Sequence, residues 1–211
     1  MMYLFIDTET SALPDFRAPP DAPHQPHIVS LAAWLGEPDD TSDSLSHVAS
    51  LNCVIRPSGW TIEPAAERIH KITNEYAHSF GEPLEDVLVR LTSLVVDAFE
   101  ASSDSLLIAH NFSFDHRMLL RDYAYCGRDP VVLNTLRPFC TMKALTPRMK
   151  LPAKYPGAGA RRDRYKWPRL DEAYQYLFGR PVPGREDRHD AMADVLGCKD
   201  VWEEGRRREW W

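Results

Sequence analysis

The segment Tyr3-Leu4-Phe5-Ile6 is apolar at every position and stops abruptly on Asp7 and Glu9. Successive residues of a strand point to opposite faces, so a strand that is apolar at both parities must be covered on both sides. The segment therefore predicts a central strand with layers packed above and below it. Asp7 and Glu9 are two residues apart, so their carboxylates share one face at the strand's end. A lone carboxylate beside a core costs on the order of several kcal/mol to desolvate. Carboxylates that converge there are tolerated if cations neutralise them.

The rest of the chain supplies the covering layers. Further strands are predicted over Ile28–Trp34, Val48–Arg56, Leu106–Ala109 and Val131–Leu133. Helices are predicted over Glu63–His78, Pro83–Glu100, Phe114–Cys126, Phe139–Leu145, Pro168–Phe178 and Asp190–Arg207. Leu84, Val87, Leu88, Leu91, Leu94, Val95, Ala98 and Phe99 repeat with the helical period and read as core. Early strands followed by alternating strand and helix predict an α/β fold, a mixed five-stranded sheet with helices on both faces. The 211 residues, 44% of them apolar, form one expected domain, 1–211, with two insertions. The first, a loop over 12–27, carries five prolines and cannot be regular structure. It is either a plain surface loop or a lip over the site, since it leaves directly after Glu9. The second is a basic loop over 146–169.

No apolar run approaches the roughly 18 residues that span a membrane. The N-terminal run lacks a basic region and reaches Asp7 too soon for a signal peptide, so a cytoplasmic location is expected. Cys53, Cys126, Cys140 and Cys198 form no C-x-x-C pair, which disfavours zinc and fits a reducing compartment. The net charge of −6 excludes a protein that coats nucleic acid through global positive charge. It leaves room for a nuclease, whose metal ligands are themselves acidic.

Two more acidic positions border apolar stretches. Asp115 closes His110-Asn111-Phe112-Ser113-Phe114-Asp115, where the chain leaves a predicted buried strand. It is either a site residue or a charge at the start of the next helix; Asn111 and Ser113 can cap that helix equally well. Asp194 ends His189-Asp190-Ala191-Met192-Ala193-Asp194. On one helix His189 and Asp194 would diverge by about 140°, so they converge only if His189 lies on the preceding loop or in a distorted first turn. Asp190 shares a helix face with Asp194 and competes as a ligand; its alternative role is the N-cap of the last helix.

The three segments resemble the three motifs of the DEDDh family of 3′–5′ exonucleases. Asp7-Thr8-Glu9-Thr10-Ser11-Ala12 follows D-x-E-T-T-G with Ala12 in place of glycine, and the H-N-x-x-F-D and H-x-A-x-x-D motifs are complete. Ile69-His70-Lys71-Ile72-Thr73-Asn74-Glu75 is similar to the family's I-H-G-I-T-x-E segment, with Lys71 replacing glycine. The resemblance runs from residue 3 to about residue 202 and extends to proofreading subunits of bacterial replicative polymerases and to phage-associated members. It implies a ribonuclease H-like fold and release of nucleoside 5′-monophosphates from a 3′ end. The expected substrate is a single strand or a frayed duplex end, with single-stranded DNA placed first and RNA left open. It also implies two divalent cations, Mg²⁺ or Mn²⁺, held by Asp7, Glu9, Asp115 and Asp194, with His189 as general base. Thr8 and Thr10 would contact the terminal sugar, and Ile69, His70 and Phe114 would flank the terminal base; Phe114 reads equally as core. Asn111 is a further expected substrate contact.

The stretch from Thr146 to Arg169 holds eight basic residues, Arg148, Lys150, Lys154, Arg161, Arg162, Arg164, Lys166 and Arg169, with Tyr155, Tyr165 and Trp167 among them. Cations with interleaved aromatics suit a single strand, and Lys166 and Trp167 are the expected contacts. The competing reading is a solvated loop. Two alternatives to an independent exonuclease stand at this level. One is a catalytically silent nucleic-acid-binding scaffold. The other is a proofreading subunit active only with a polymerase or another replication or repair partner.

Overall fold

A computed structural model describes residues 1–152, 165–185 and 189–211. Among these residues a single sheet has the order β3-β2-β1-β4-β5, built from β1 (Tyr3–Thr10), β2 (Ile28–Pro38), β3 (Leu45–Val54), β4 (Leu106–Ala109) and β5 (Arg137–Cys140). β1 pairs antiparallel with β2 and parallel with β4; β2–β3 is antiparallel and β4–β5 parallel. The α-helices among the described residues are α1 (Pro64–His70), α2 (Asn74–Phe80), α3 (Leu84–Ala101), α4 (Phe112–Tyr125), α5 (Thr141–Met149), α6 (Leu170–Phe178) and α7 (Ala191–Arg207).

The parity of β1 sorts the core into two layers. Leu4 and Ile6 pack with Leu88, Leu91 and Val95 of α3 and Met118 and Leu119 of α4. Tyr3 and Phe5 pack on the other face with Ala173 and Tyr174 of α6 and Val195, Val201 and Trp202 of α7. Each face is thus covered by helices, as an all-apolar strand requires. The same parity sends Asp7 and Glu9 toward the α7 side and Thr8 toward the α4 side.

Four expectations are corrected. The predicted strand Val131–Leu133 is a 3₁₀ turn over Pro130–Asn134, because Asp129 caps the Val131 N–H at 2.9 Å and Pro130 fixes the first position. The fifth strand lies later, at β5, where Pro138 is tolerated because the strand is at an edge. For the same reason Phe139 belongs to β5, and the helix after it starts at Thr141. The helix expected over Glu63–His78 is two helices: Lys71 turns left-handed at φ 62°, and the Thr73 hydroxyl accepts from the Tyr76 N–H at 3.0 Å to start α2. Phe99 lies off the buried stripe of α3 and is 44% exposed.

The proline-rich segment is tied down. The Gln25 amide donates to the carbonyls of Asp15 and Pro19 at 2.7 and 3.1 Å, and Arg117 donates to those of Asp15 and Ala18. At its base His27 Nδ1 lies 2.6 Å from Asp122 Oδ1, and its ring stacks on Trp60. Of the two positions where the motif family has glycine, Ala12 has no positive φ, whereas Lys71 does. The C-terminal Trp211 packs over Gly205 and against Phe139, donating to the Trp202 carbonyl at 3.2 Å. No helix among the described residues is long and apolar enough to cross a membrane.

Candidate metal centre

The acidic residues meet where the parallel pair β1 and β4 ends, the place where chain crossing out of a sheet leaves a crevice. Asp7 and Glu9 arrive on β1. Asp115 arrives from the first turn of α4, and Asp194 from the first turn of α7. Asn111 makes the first of these arrivals possible. At φ 71° it turns the chain sharply from β4 into α4, a conformation asparagine tolerates better than most residues. Its side chain makes no capping bond, so the capping role expected for it is positional only.

Asp115 is 2% exposed and accepts two hydrogen bonds on Oδ1, from the Thr8 N–H at 3.0 Å and the Thr8 hydroxyl at 2.8 Å. The residue between Asp7 and Glu9 therefore holds the third carboxylate. The Thr10 hydroxyl donates to the Ala12 carbonyl at 2.9 Å and shapes the turn that follows.

His189 precedes α7. Asp190 is the N-cap, its carboxylate accepting from the Met192 and Ala193 N–H groups at 3.1 Å. The His189 N–H donates to the Ile69 carbonyl at 3.1 Å, which fixes the backbone off the helix. That is the arrangement His189 and Asp194 need in order to converge. Glu9, His189 and Asp194 each offer a ligand atom within 4.8 Å of the others.

Arg185 is a site residue that motif reading does not reveal. Its Nε lies 3.0 Å from Asp194 Oδ1, and its Nη2 lies 2.8 and 2.9 Å from the two ring nitrogens of His189. The signal for it is indirect: a buried cluster of acids needs a cation, and Arg185 is the basic residue at the Pro183-Gly184 turn before His189.

The electrostatics are those of crowded anions. Burial, then Asp115, Asp194 and Glu9, raise Asp7 well above the usual carboxylate range. Burial and Asp194 push Glu9 up to about 8 against the pull of Arg185. Asp115 rises to about 7 because burial outweighs the Thr8 hydrogen bonds, and Asp194 to about 7 because burial outweighs Arg185. Burial and the Arg185 guanidinium push His189 below its ordinary value, so the ring is neutral at pH 7.

This donor set suits hard divalent cations, which take carboxylate oxygens and neutralise the repulsion that raises these acids. Asp194 Oδ1 is buried, and among the described residues its counter-ion is the Arg185 guanidinium. His110 supports the far wall. Its Nε2 donates to the Pro168 carbonyl at 3.0 Å and its Nδ1 pairs with the Thr141 hydroxyl at 2.9 Å; burial lowers it to about 4, so it stays neutral.

A cleft of about 400 Å³ opens over the carboxylates. Thr8, Thr10, Ile69, Asn111, Phe114 and Trp167 line it, together with Leu13 of the proline-rich segment. Phe114 both lines the cleft and packs on the core, and Phe16 lies 6.4 Å from its ring. His70 is 2% exposed and sits behind Ile69, facing a neighbouring groove rather than this cleft. Lys166 is not brought to the cleft, because its ammonium is paired with Glu172. Lys154, Tyr155, Arg161, Arg162 and Arg164 of the basic stretch lie outside the described residues.

The sheet order and the helices on both of its faces define an α/β ribonuclease H-like exonuclease fold. The particular solved structures it resembles are those of E. coli Exonuclease I. The complex with a dT13 oligonucleotide aligns with a TM-score of 0.71 at 18% identity over 99% of this chain and 41% of that one. The product-bound form aligns with a TM-score of 0.69 at 18% identity over 99% of this chain and 44% of that one. The zinc-bound form of its single-stranded DNA complex aligns with a TM-score of 0.69 at 18% identity, covering 99% and 41%. The chain thus spans less than half the length of these proteins, and a likeness at this identity establishes the fold. No protein-family model and no curated protein matches the sequence.

Proposed function

We propose that the chain is a metal-dependent 3′–5′ exonuclease that releases nucleoside 5′-monophosphates from single-stranded DNA. The observation that carries this reading is the convergence of Asp7, Glu9, Asp115 and Asp194 beside His189 in an open cleft. Two divalent cations, Mg²⁺ or Mn²⁺, would supply charge neutralisation of the phosphodiester and in-line alignment of the attacking and leaving oxygens. Asp7, Glu9, Asp115 and Asp194 would hold them.

The chain's own residues carry the remaining tasks. Leu13, Ile69, Phe114 and Trp167 give the terminal base apolar and aromatic walls, which accept any base. His189, held near Glu9 at 3.9 Å and neutral at pH 7, accepts the proton of the attacking water on a ring nitrogen. Thr8 keeps Asp115 in place while the charge around it changes.

A 5′-labelled oligonucleotide incubated with Mn²⁺ tests the reading. A descending ladder is expected from the isolated chain, with no polymerase partner required. A shifted but intact band would instead identify a silent binding protein. Asp7→Ala should abolish the ladder while leaving the fold intact by circular dichroism, and normal turnover by that variant would overturn the metal assignment.

A further inference from the structure

A second groove of about 400 Å³ lies on the other side of His189 from the cleft and shares Glu9 and His189 with it. A strand whose scissile phosphate sits at the carboxylates would therefore meet residues that belong to both. The two differ in character. The cleft presents Leu13, Ile69, Phe114 and Trp167, which suits a single base. The groove presents polar Ser30 and Asn52 with Lys71, Tyr76 and Phe80, and the carboxylates of Glu9, Glu82 and Asp190 also line it.

Lys71 is the first unusual residue there. It stops α1 at φ 62°, a left-handed conformation that an L side chain adopts at a cost and that glycine adopts freely. The consequence is an exposed lysine whose side chain leaves the backbone at the groove. No carboxylate pairs with Lys71 among the described residues, and the nearby Glu82 is already taken by Arg90 at 2.5 Å. Tyr76 and Phe80 are the second unusual feature. They are 49% and 70% exposed, one helical turn apart on α2, with ring centroids 5.0 Å from each other. Two large rings left in water beside a free cation match the recognition elements of a single nucleic-acid strand: phosphate attraction and base stacking.

We propose that this groove binds the nucleotides immediately 5′ of the scissile phosphate, with Lys71 on a backbone phosphate and Tyr76 and Phe80 stacking a base. The proposal rests on the exonuclease reading and adds the path of the substrate strand. It makes turnover depend on length: a dinucleotide reaches little of the groove, whereas an octanucleotide fills it.

The test compares kcat/KM on dT2 and dT8 with Mn²⁺ for the unmodified chain, for Lys71→Gly and for the double variant Tyr76→Ala, Phe80→Ala. Lys71→Gly suits the left-handed position, so the fold is kept. The unmodified chain should prefer dT8. The ratio of kcat/KM for dT8 to that for dT2 should fall roughly tenfold in Lys71→Gly, with the slope of log(kcat/KM) on log[salt] for dT8 shallower by about 0.7, the loss of one phosphate contact. The aromatic double variant should lower the same ratio by about tenfold or more with the salt slope unchanged. An unchanged ratio in both variants, while the unmodified chain degrades dT8, overturns the groove and leaves the exonuclease reading standing. Absence of any degradation by the unmodified chain overturns both.

Discussion

Thr8 holds Asp115 by two hydrogen bonds to a single carboxylate oxygen, one from its amide and one from its hydroxyl. The residue that separates Asp7 from Glu9 on β1 thus reaches to the opposite face of the sheet and ties α4 to the cluster. Position on the strand and placement of the third carboxylate are one structural fact.

Thr8→Val keeps the shape and the amide bond but removes the hydroxyl donor. A hydrogen bond to a charged group contributes about 1.5–3 kcal/mol, and such supporting partners typically change metal affinity by about 10–100-fold. Mn²⁺ titration calorimetry should show weaker binding in Thr8→Val, with Thr8→Ser restoring it. Equal Mn²⁺ affinity in Thr8→Val and the unmodified chain would remove Thr8 from the site.

Arg185 serves as a counter-ion for Asp194 at 3.0 Å. Arg185→Gln should lower the melting temperature of the metal-free protein, because the acids lose their cation. It should also tighten Mn²⁺ binding, because no guanidinium competes for Asp194. Weaker Mn²⁺ binding in this variant would mean that Arg185 props the site rather than competes for it.

The raised carboxylates set a direction for pH. In the unfolded chain these acids ionise near pH 4; in the metal-free fold Glu9 does so at about 8 and Asp115 and Asp194 at about 7. Between those limits the folded state binds more protons than the unfolded one, so stability falls as pH rises from about 4 to about 8. Melting curves in a chelator should therefore drop from pH 5 to pH 8. Saturating Mg²⁺ should recover more stability at pH 8 than at pH 5, and Glu9→Gln should flatten the metal-free trend. A rise in metal-free stability toward pH 8 would contradict the crowded-anion picture.

Asp122 anchors the base of the proline-rich segment. Its Oδ1 lies 2.6 Å from His27 Nδ1 and its Oδ2 accepts the Ile28 N–H at 2.8 Å, both fully buried. Removing this carboxylate leaves the Ile28 N–H and the His27 ring without their buried acceptor, which costs about 1–3 kcal/mol. Urea unfolding of Asp122→Ala should show a loss of that order. Limited proteolysis should cut within residues 12–27 before the rest of the chain. Cleavage at the unmodified rate would dissociate Asp122 from the segment's order.

Much was legible because it depends on local rules. The double-sided apolarity of Tyr3–Ile6 dictates a strand covered on both faces, since alternation along a strand leaves no other way to hide those side chains. The spacing of Asp7 and Glu9 dictates a shared face for the same reason. The period of Leu84 to Ala98 dictates a helix with one buried stripe, and Asp190 before Ala191 offers a cap that the fold then uses. Gly179 ends α6 in the left-handed conformation, as a glycine after a helix should.

Other features depend on contacts between distant segments, which no local pattern carries. Val131–Leu133 has the composition of a strand, yet Asp129 and Pro130 turn it, and β5 forms from the less apolar Arg137–Cys140 because β4 offers it an open edge. Which acid faces which, that Thr8 holds Asp115, that Lys166 turns to Glu172 and that Arg185 enters the cluster were decided only by tertiary structure. Those choices turn on distances of a few ångströms between residues as far apart along the chain as Glu9 and Asp194. The sequence determines which groups must be buried and which must be paired; folding selects the partner, because pairing energy depends on geometry that only the packed sheet and helices supply.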